Sequence, residues 1–120
     1  MQTVVLDANA LLLPFQFRLN LQAELRRLLG DHDIFVPSPV LEELKGLSKS
    51  VPEARAALKL AIQFRVFDVA GGADDAILDA ANRLKAVVVT NDAALLRRLQ
   101  AARVPRIYLR SRTHLVADGL

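Results

Sequence analysis

Apolar positions along the chain fall into short continuous runs that alternate with segments of helical spacing. Thr3 to Leu6 is a β-branched apolar run ending on Asp7, which predicts a buried strand. Pro14 predicts a break. From about Arg18 to Leu29, the positions Leu21, Leu25, Leu28 and Leu29 recur at helical spacing, and Gly30 stops the helix. Ile34 to Val36 predicts a second strand, closed by Pro37. Ser38 suits a helix cap with Pro39 at the first helical position, ahead of Val40, Leu41, Leu44 and Leu47. Ser50 and Glu53 have capping-box spacing at the head of an Ala-rich helix from Pro52 to about Gln63. Arg65 to Val69 predicts a third strand, and Gly71-Gly72 a loop. Asp74 or Asp75 suits the cap of a helix running to about Lys85. Ala86 to Thr90 predicts a strand, Asp92 opens a helix ending near Ala102, and Arg106 to Leu109 is a further strand. His114 to Ala117 can add an edge strand.

The order β-α-β-α-α-β-α-β-α-β predicts an α/β fold of three layers, α/β/α, with a mostly parallel central sheet of about five strands. The runs Val4-Val5-Leu6 and Val87-Val88-Val89 fit a sheet covered on both faces. With 120 residues, the expectation is one domain over 1–120. No repeat or linker interrupts it.

Strand direction turns this pattern into a candidate site. In open parallel sheets, ligands bind at the carboxyl ends of the strands, near a switch in strand order. Asp7 ends the first strand, Glu43 lies about one turn into the helix after the second, Asp74 and Asp75 follow the third, and Asn91 and Asp92 follow the fourth. Separate βα connections therefore deliver acids to one rim. Asp75 and Asp92 also suit plain helix capping. Asp7 is harder to explain that way, because an acid ending a buried strand loses solvation and needs a partner. Clustered carboxylates raise each other's pKa, and a divalent cation compensates them. Oxygen ligands suit Mg²⁺ or Mn²⁺, as one or two ions. Such an ion lowers the pKa of its water and neutralises phosphate charge during in-line displacement.

Composition narrows the chemistry further. The chain has no cysteine, which excludes thiol nucleophiles, disulfides and thiolate metal sites, and only two histidines. P-loop, dinucleotide-binding and serine-elbow motifs are all missing. His32 reads as a turn residue and His114 as a surface one. No apolar run is long enough for a membrane span, and Asp7 interrupts the first run, so no signal peptide and a cytoplasmic location are expected. The formal net charge of +3 is uneven: residues 1–92 carry −2 and residues 93–120 carry +5. Arg97, Arg98, Arg103, Arg106, Arg110 and Arg112 make the tail basic, which suits an anionic partner such as nucleic acid.

Four blocks in order resemble those of the PIN-domain nucleases: Val4-Val5-Leu6-Asp7-Ala8-Asn9, Pro37 to Leu44 with its acid at Glu43, Ala73-Asp74-Asp75-Ala76-Ile77-Leu78, and Val89-Thr90-Asn91-Asp92. The resemblance runs nearly the full chain. Leu13-Pro14-Phe15-Gln16-Phe17, the Ala-Asp-Asp triplet and Tyr108-Leu109-Arg110 are similar to the branch of the ribosomal-RNA-processing nuclease Fcf1 and its archaeal relatives. Toxin nucleases of the VapC type share the acids, but usually carry one Asp in the third block. The resemblance implies that Asp7, Glu43, Asp75 and Asp92 are catalytic and bind metal, with Asp74 joining as a ligand. It implies supporting roles for Asn9, Thr90 and Asn91, and leaves Asp79 as a supporting candidate that matches no family acid.

The expectation is a metal-dependent endoribonuclease acting in ribosomal RNA processing, with the arginines holding RNA. A VapC-type toxin and a non-catalytic RNA-binding module are the alternatives. A phosphotransferase with an aspartate nucleophile fits poorly, because Asn9 stands where its second acid is needed. A second copy of the chain, an antitoxin or a ribosome-assembly protein is the further partner these readings imply.

Overall fold

Val4, Val5, Leu6, Val88 and Val89 are completely buried, as strands covered on both faces must be. They belong to the middle of the sheet in a computed structural model that describes residues 1–120. The elements are β1 (Gln2–Leu6), α1 (Ala8–Phe17), α2 (Leu21–Leu29), β2 (His32–Pro37), α3 (Ser38–Leu47), α4 (Pro52–Ala61), β3 (Arg65–Phe67), α5 (Ala73–Leu84), β4 (Val87–Val89), α6 (Ala93–Ala101), β5 (Arg106–Arg110) and β6 (His114–Asp118). The sheet has six strands in the order β3-β2-β1-β4-β5-β6. All neighbours pair in parallel except β5 and β6, which form an antiparallel hairpin. Helices flank this sheet, giving the expected α/β/α class, and the edge strand anticipated near His114 to Ala117 is the sixth strand, β6.

The chain leaves β1 towards β2 and β3 on one side, then crosses to β4 and β5 on the other. The strand order therefore switches between β1 and β4. Because β1 to β5 all run the same way, their carboxyl ends share one rim.

Several local expectations are corrected. Pro14 does not break the chain; it lies inside α1. It has no N–H for the Ala10 carbonyl, yet Ala8, Ala10, Leu11 and Leu13 bury against the core and hold the helix. The stop comes at Arg18, which has a left-handed φ of 53°. The next helix starts at Leu21 rather than Arg18, because the Asn20 side chain accepts from the Ala23 N–H at 3.0 Å and caps it there.

Ser38 is the first residue of α3 rather than its cap, with Pro37 in the cap position. Its hydroxyl accepts from the Val69 N–H and donates to the Val69 carbonyl, both at 3.1 Å, pinning the chain after β3. Ser50 makes no capping box; Val51 precedes α4 without a side-chain cap. Gly72, not Asp74 or Asp75, occupies the cap position of α5, and both aspartates lie in its first turn. The third strand ends at Phe67, two residues before Val69.

Candidate functional site

Parallel register brings the first two site residues together. Leu6 pairs with Val89 across β1 and β4, so Asp7 lies beside Thr90. The Thr90 hydroxyl donates to Asp7 Oδ2. Asp7 Oδ1 accepts from the Ala10 N–H at 2.7 Å, which makes Asp7 the N-cap of α1. Asp7 is only 7% exposed. Burial pushes its carboxyl up to about 7, against the Thr90 and Ala10 hydrogen bonds that favour the charged form. The negative charges of Glu43 and Asp74 push it further up.

The other carboxyls arrive from the helices that follow the strands. Glu43 lies on α3, Asp74 in the first turn of α5, and Asp92 at the cap of α6. Desolvation raises the Glu43 pKa, and the Asp74 and Asp92 charges add to it. Asp7, Glu43, Asp74 and Asp92 thus act on one another around the β1–β4 switch. Asp92 also accepts from the Leu95 N–H at 2.8 Å, and its own N–H donates to Thr90 Oγ1 at 3.1 Å. Thr90 therefore binds both Asp7 and the backbone that carries Asp92.

Asp75 is placed differently from its neighbour. Its carboxylate pairs with Arg98 of α6 at 2.8 Å, and its side chain is 75% exposed. The acids that most strongly raise Asp7 and Glu43 do not include it. Asp79 pairs with Arg83 one helical turn on, at 2.9 Å, which ties its side chain to its own helix.

Two asparagines lace the rim together. The Asn91 N–H donates to Asn9 Oδ1 at 2.8 Å, and Asn91 Oδ1 accepts from the Leu109 N–H at 3.2 Å. Asn91 so links α1 to β5, immediately before the turn that carries two of the candidate arginines.

The arginines separate by strand direction. Arg110, Ser111 and Arg112 form the exposed turn between β5 and β6, at the carboxyl end of β5 and hence on the acidic rim. Thr113 N–H closes this turn on the Arg110 carbonyl at 3.3 Å. Arg103 and Arg106 precede or begin β5 and lie at the opposite edge of the sheet. Arg106 is spent internally: it donates to the Val104 carbonyl at 2.9 Å and pairs with Asp118 at 3.3 Å. Arg97 is exposed on α6, and Arg98 engages Asp75.

The donor set at the rim is oxygen only, partly desolvated and mutually repelling, which is the chemistry that a hard divalent cation relieves. No three Asp, Glu or His side chains converge into a ready-made ligand set, so the carboxyls would have to draw together around an ion.

A family model described as a PIN like domain matches residues 4–112, a span that holds every one of these acids. The chain belongs to the PIN-like family. Among its relatives, ribonuclease VapC4 of Methanocaldococcus jannaschii is 31% identical and is matched over 100% of this chain and 99% of its own. Ribonuclease VapC9 of Archaeoglobus fulgidus is 28% identical over 88% of this chain and 82% of its own. The PIN domain endonuclease Utp24 superposes with a TM-score of 0.79 at 24% identity, covering 98% of this chain and 92% of that one. VapBC2 from Rickettsia felis, solved bound to a promoter DNA fragment, contributes a chain with a TM-score of 0.67 at 18% identity, covering 91% and 100%. These structural likenesses establish the PIN fold for the sheet order seen here. The PIN-like chain also has no helix long and apolar enough to cross a membrane.

Sequence reasoning misses one feature of the PIN-like rim. A cavity of about 630 Å³ opens beside Glu43, walled by the start of α3 and the loop between β3 and α5. Only the Gly71-Gly72 loop hints at it in the sequence. The larger cavity, of about 690 Å³, lies at the opposite sheet edge near His32 and Arg65, away from the acids.

Proposed function

We propose that this PIN-like chain is a metal-dependent endoribonuclease that hydrolyses RNA phosphodiester bonds. The observation that carries the reading is Asp7: a buried carboxyl at the strand-order switch, facing Glu43 and Asp74 with no basic side chain bonded to it. Asp7, Glu43, Asp74 and Asp92 would hold Mg²⁺ or Mn²⁺, as one or two ions, and Asp75 would join them only by giving up its pair with Arg98. When bound, the metal makes water reactive near neutral pH and neutralises charge on the phosphate.

The chain's own residues supply the rest. Thr90 keeps the Asp7 carboxyl in one orientation, and Asn9 with Asn91 holds the two connections that bear Asp7 and Asp92 in register. Arg98, held by Asp75, and the Arg110–Arg112 turn offer cations to the RNA backbone. Phosphate contacts of this type give affinity without base choice. The products of this hydrolysis carry 5′-phosphate and 3′-hydroxyl ends.

Two cellular roles share this chemistry. Both curated relatives bear VapC names, which favours a toxin-type ribonuclease with an antitoxin partner over ribosomal RNA processing. Co-purification with the product of an adjacent small gene separates the two.

The purified Asp7→Asn protein tests the enzyme itself. It should bind RNA and keep the wild-type circular dichroism spectrum, but show no cleavage with Mn²⁺. Undiminished cleavage by that variant overturns the assignment.

A further inference from the structure

We propose that the cavity beside Glu43 is a guanine-binding subsite, and that Glu42 reads the base. This rests on the endoribonuclease reading and adds a base choice that phosphate contacts cannot provide. The cavity adjoins the acidic rim, and Glu42, Glu43, Ser38, Pro39, Val69 and Gly71 line it. It is a broad, open depression whose volume of about 630 Å³ lies within the roughly 300–1,000 Å³ range of small-molecule sites, large enough for a nucleoside.

One wall is fixed before any ligand arrives. The Ser38 hydroxyl bonds both the N–H and the carbonyl of Val69, so the chain after β3 is tied to the start of α3. Pro39, Val69 and Ala73 add apolar surface for a flat ring.

Charge selects the kind of occupant. No Lys, Arg or His lines the cavity, while two carboxylates do. With Glu43 assigned to the metal, Glu42 leaves a negative wall with no cation lining it, and the cationic turn of Arg110 and Arg112 stands at the other end of the rim, beyond β4. The group that enters must be uncharged and rich in N–H donors. A carboxylate accepts two parallel N–H bonds with its two oxygens. Guanine is the one common RNA base with two such donors side by side, the N1–H and the N2 amino group. On adenine, cytosine and uracil an acceptor flanks the donor and faces the carboxylate.

Of the two glutamates, Glu42 is the reader. Glu43 belongs to the carboxylate set, where Asp74 and Asp92 act on it. Glu42 is bonded only to Lys45, at 3.2 Å, with both side chains more than half exposed. Such exposed pairs contribute little and release readily.

The test uses short RNAs identical except for guanine, inosine, adenine, cytosine or uracil at each position around the cut bond. In Mn²⁺, the wild-type protein should favour guanine at one position by about tenfold in kcat/KM, the effect of one well-made hydrogen bond or more. Inosine, which lacks the N2 amino group, should fall between guanine and adenine. Glu42→Gln should lose this preference and still cut RNAs without guanine there. Equal cleavage of all bases by the wild type, or guanine preference retained in Glu42→Gln, overturns the subsite.

Failure of the nuclease reading looks different, because then the wild type cuts none of the RNAs. Equilibrium binding of the same RNAs to Asp7→Asn then decides the subsite alone. A guanine preference that Glu42→Gln removes in that background supports it, and its absence overturns it.

Discussion

The Thr90 hydroxyl donates to the Asp7 carboxyl across 83 positions of sequence, and it is the only side chain that does so. Parallel pairing of Leu6 with Val89 brings the two residues side by side. Burial of this carboxyl, which the hydrogen bond only partly offsets, sets a pH dependence for the metal-free protein. Burial pushes the Asp7 carboxyl up to about 7 in the folded state, from an ordinary value of 3.8. Between these values the folded state holds a proton that the unfolded state has lost. Stability therefore falls as pH rises from about 4 through about 7, then levels off, by on the order of 4 kcal/mol in the limit. Urea unfolding across this range should show the decline, and Asp7→Asn should remove its own share and leave the part due to Glu43, whose pKa is also raised.

Removing the donor pushes the same balance further. In Thr90→Val, Asp7 retains only the Ala10 N–H, so its pKa should rise above the wild-type value. The Asp92 N–H also loses its acceptor. A cost of about 1–3 kcal/mol is expected for the broken buried bonds. Carboxyl NMR titration of Asp7 gives the direction, and chemical unfolding gives the cost.

The basic tail should divide into working and structural arginines. Arg110→Ala and Arg112→Ala should each weaken RNA binding and reduce the slope of log affinity against log salt by about 0.7. Arg103→Ala, at the far edge of the sheet, should leave both unchanged. Arg106→Ala should lower thermal stability instead, since Arg106 joins the Val104 carbonyl to Asp118. Fluorescence anisotropy at several salt concentrations separates the groups.

Much of this site is legible before folding, for identifiable reasons. Val4-Val5-Leu6 and Val87-Val88-Val89 are continuous because both sheet faces are covered, and Asp7 ends such a run with no local partner of opposite charge. Pro14 misleads because its missing donor is a local signal, whereas Leu11 and Leu13 hold α1 through burial in the core. The arginines look equivalent in sequence because strand direction alone sends Arg110 to the acidic rim and Arg106 to the opposite edge. Asp74 and Asp75 are likewise equivalent until Arg98, 23 positions away, takes one of them.

Asn91 should govern the basic turn at a distance. Its side chain accepts from the Leu109 N–H, and its backbone donates to Asn9. Asn91→Ala removes the first bond and keeps the second. The Leu109 amide should then exchange with solvent faster, while the Ala10 and Leu95 amides, bonded to Asp7 and Asp92, keep their protection. For cleavage, KM should rise with kcat little changed, because the turn that holds RNA loosens and the carboxyls do not. A fall in kcat at constant KM would place Asn91 in the reacting centre instead.

Asp74 and Asp75 should respond in opposite ways to neutralisation. Asp74 raises both Asp7 and Glu43 through its charge, so Asp74→Asn should lower the pKa of each towards the ordinary carboxylate range. Asp75→Asn should leave Asp7 near its wild-type value, since its charge is offset by Arg98 at 2.8 Å. It should instead free the Arg98 guanidinium and increase RNA affinity at low salt, where an added cation counts most. NMR titration of Asp7 in the two variants, beside RNA binding at low and high salt, reads both effects. A drop in Asp7 pKa in Asp75→Asn as large as that in Asp74→Asn would show that Asp75 faces the carboxylate cluster and that the Arg98 pair does not hold it away.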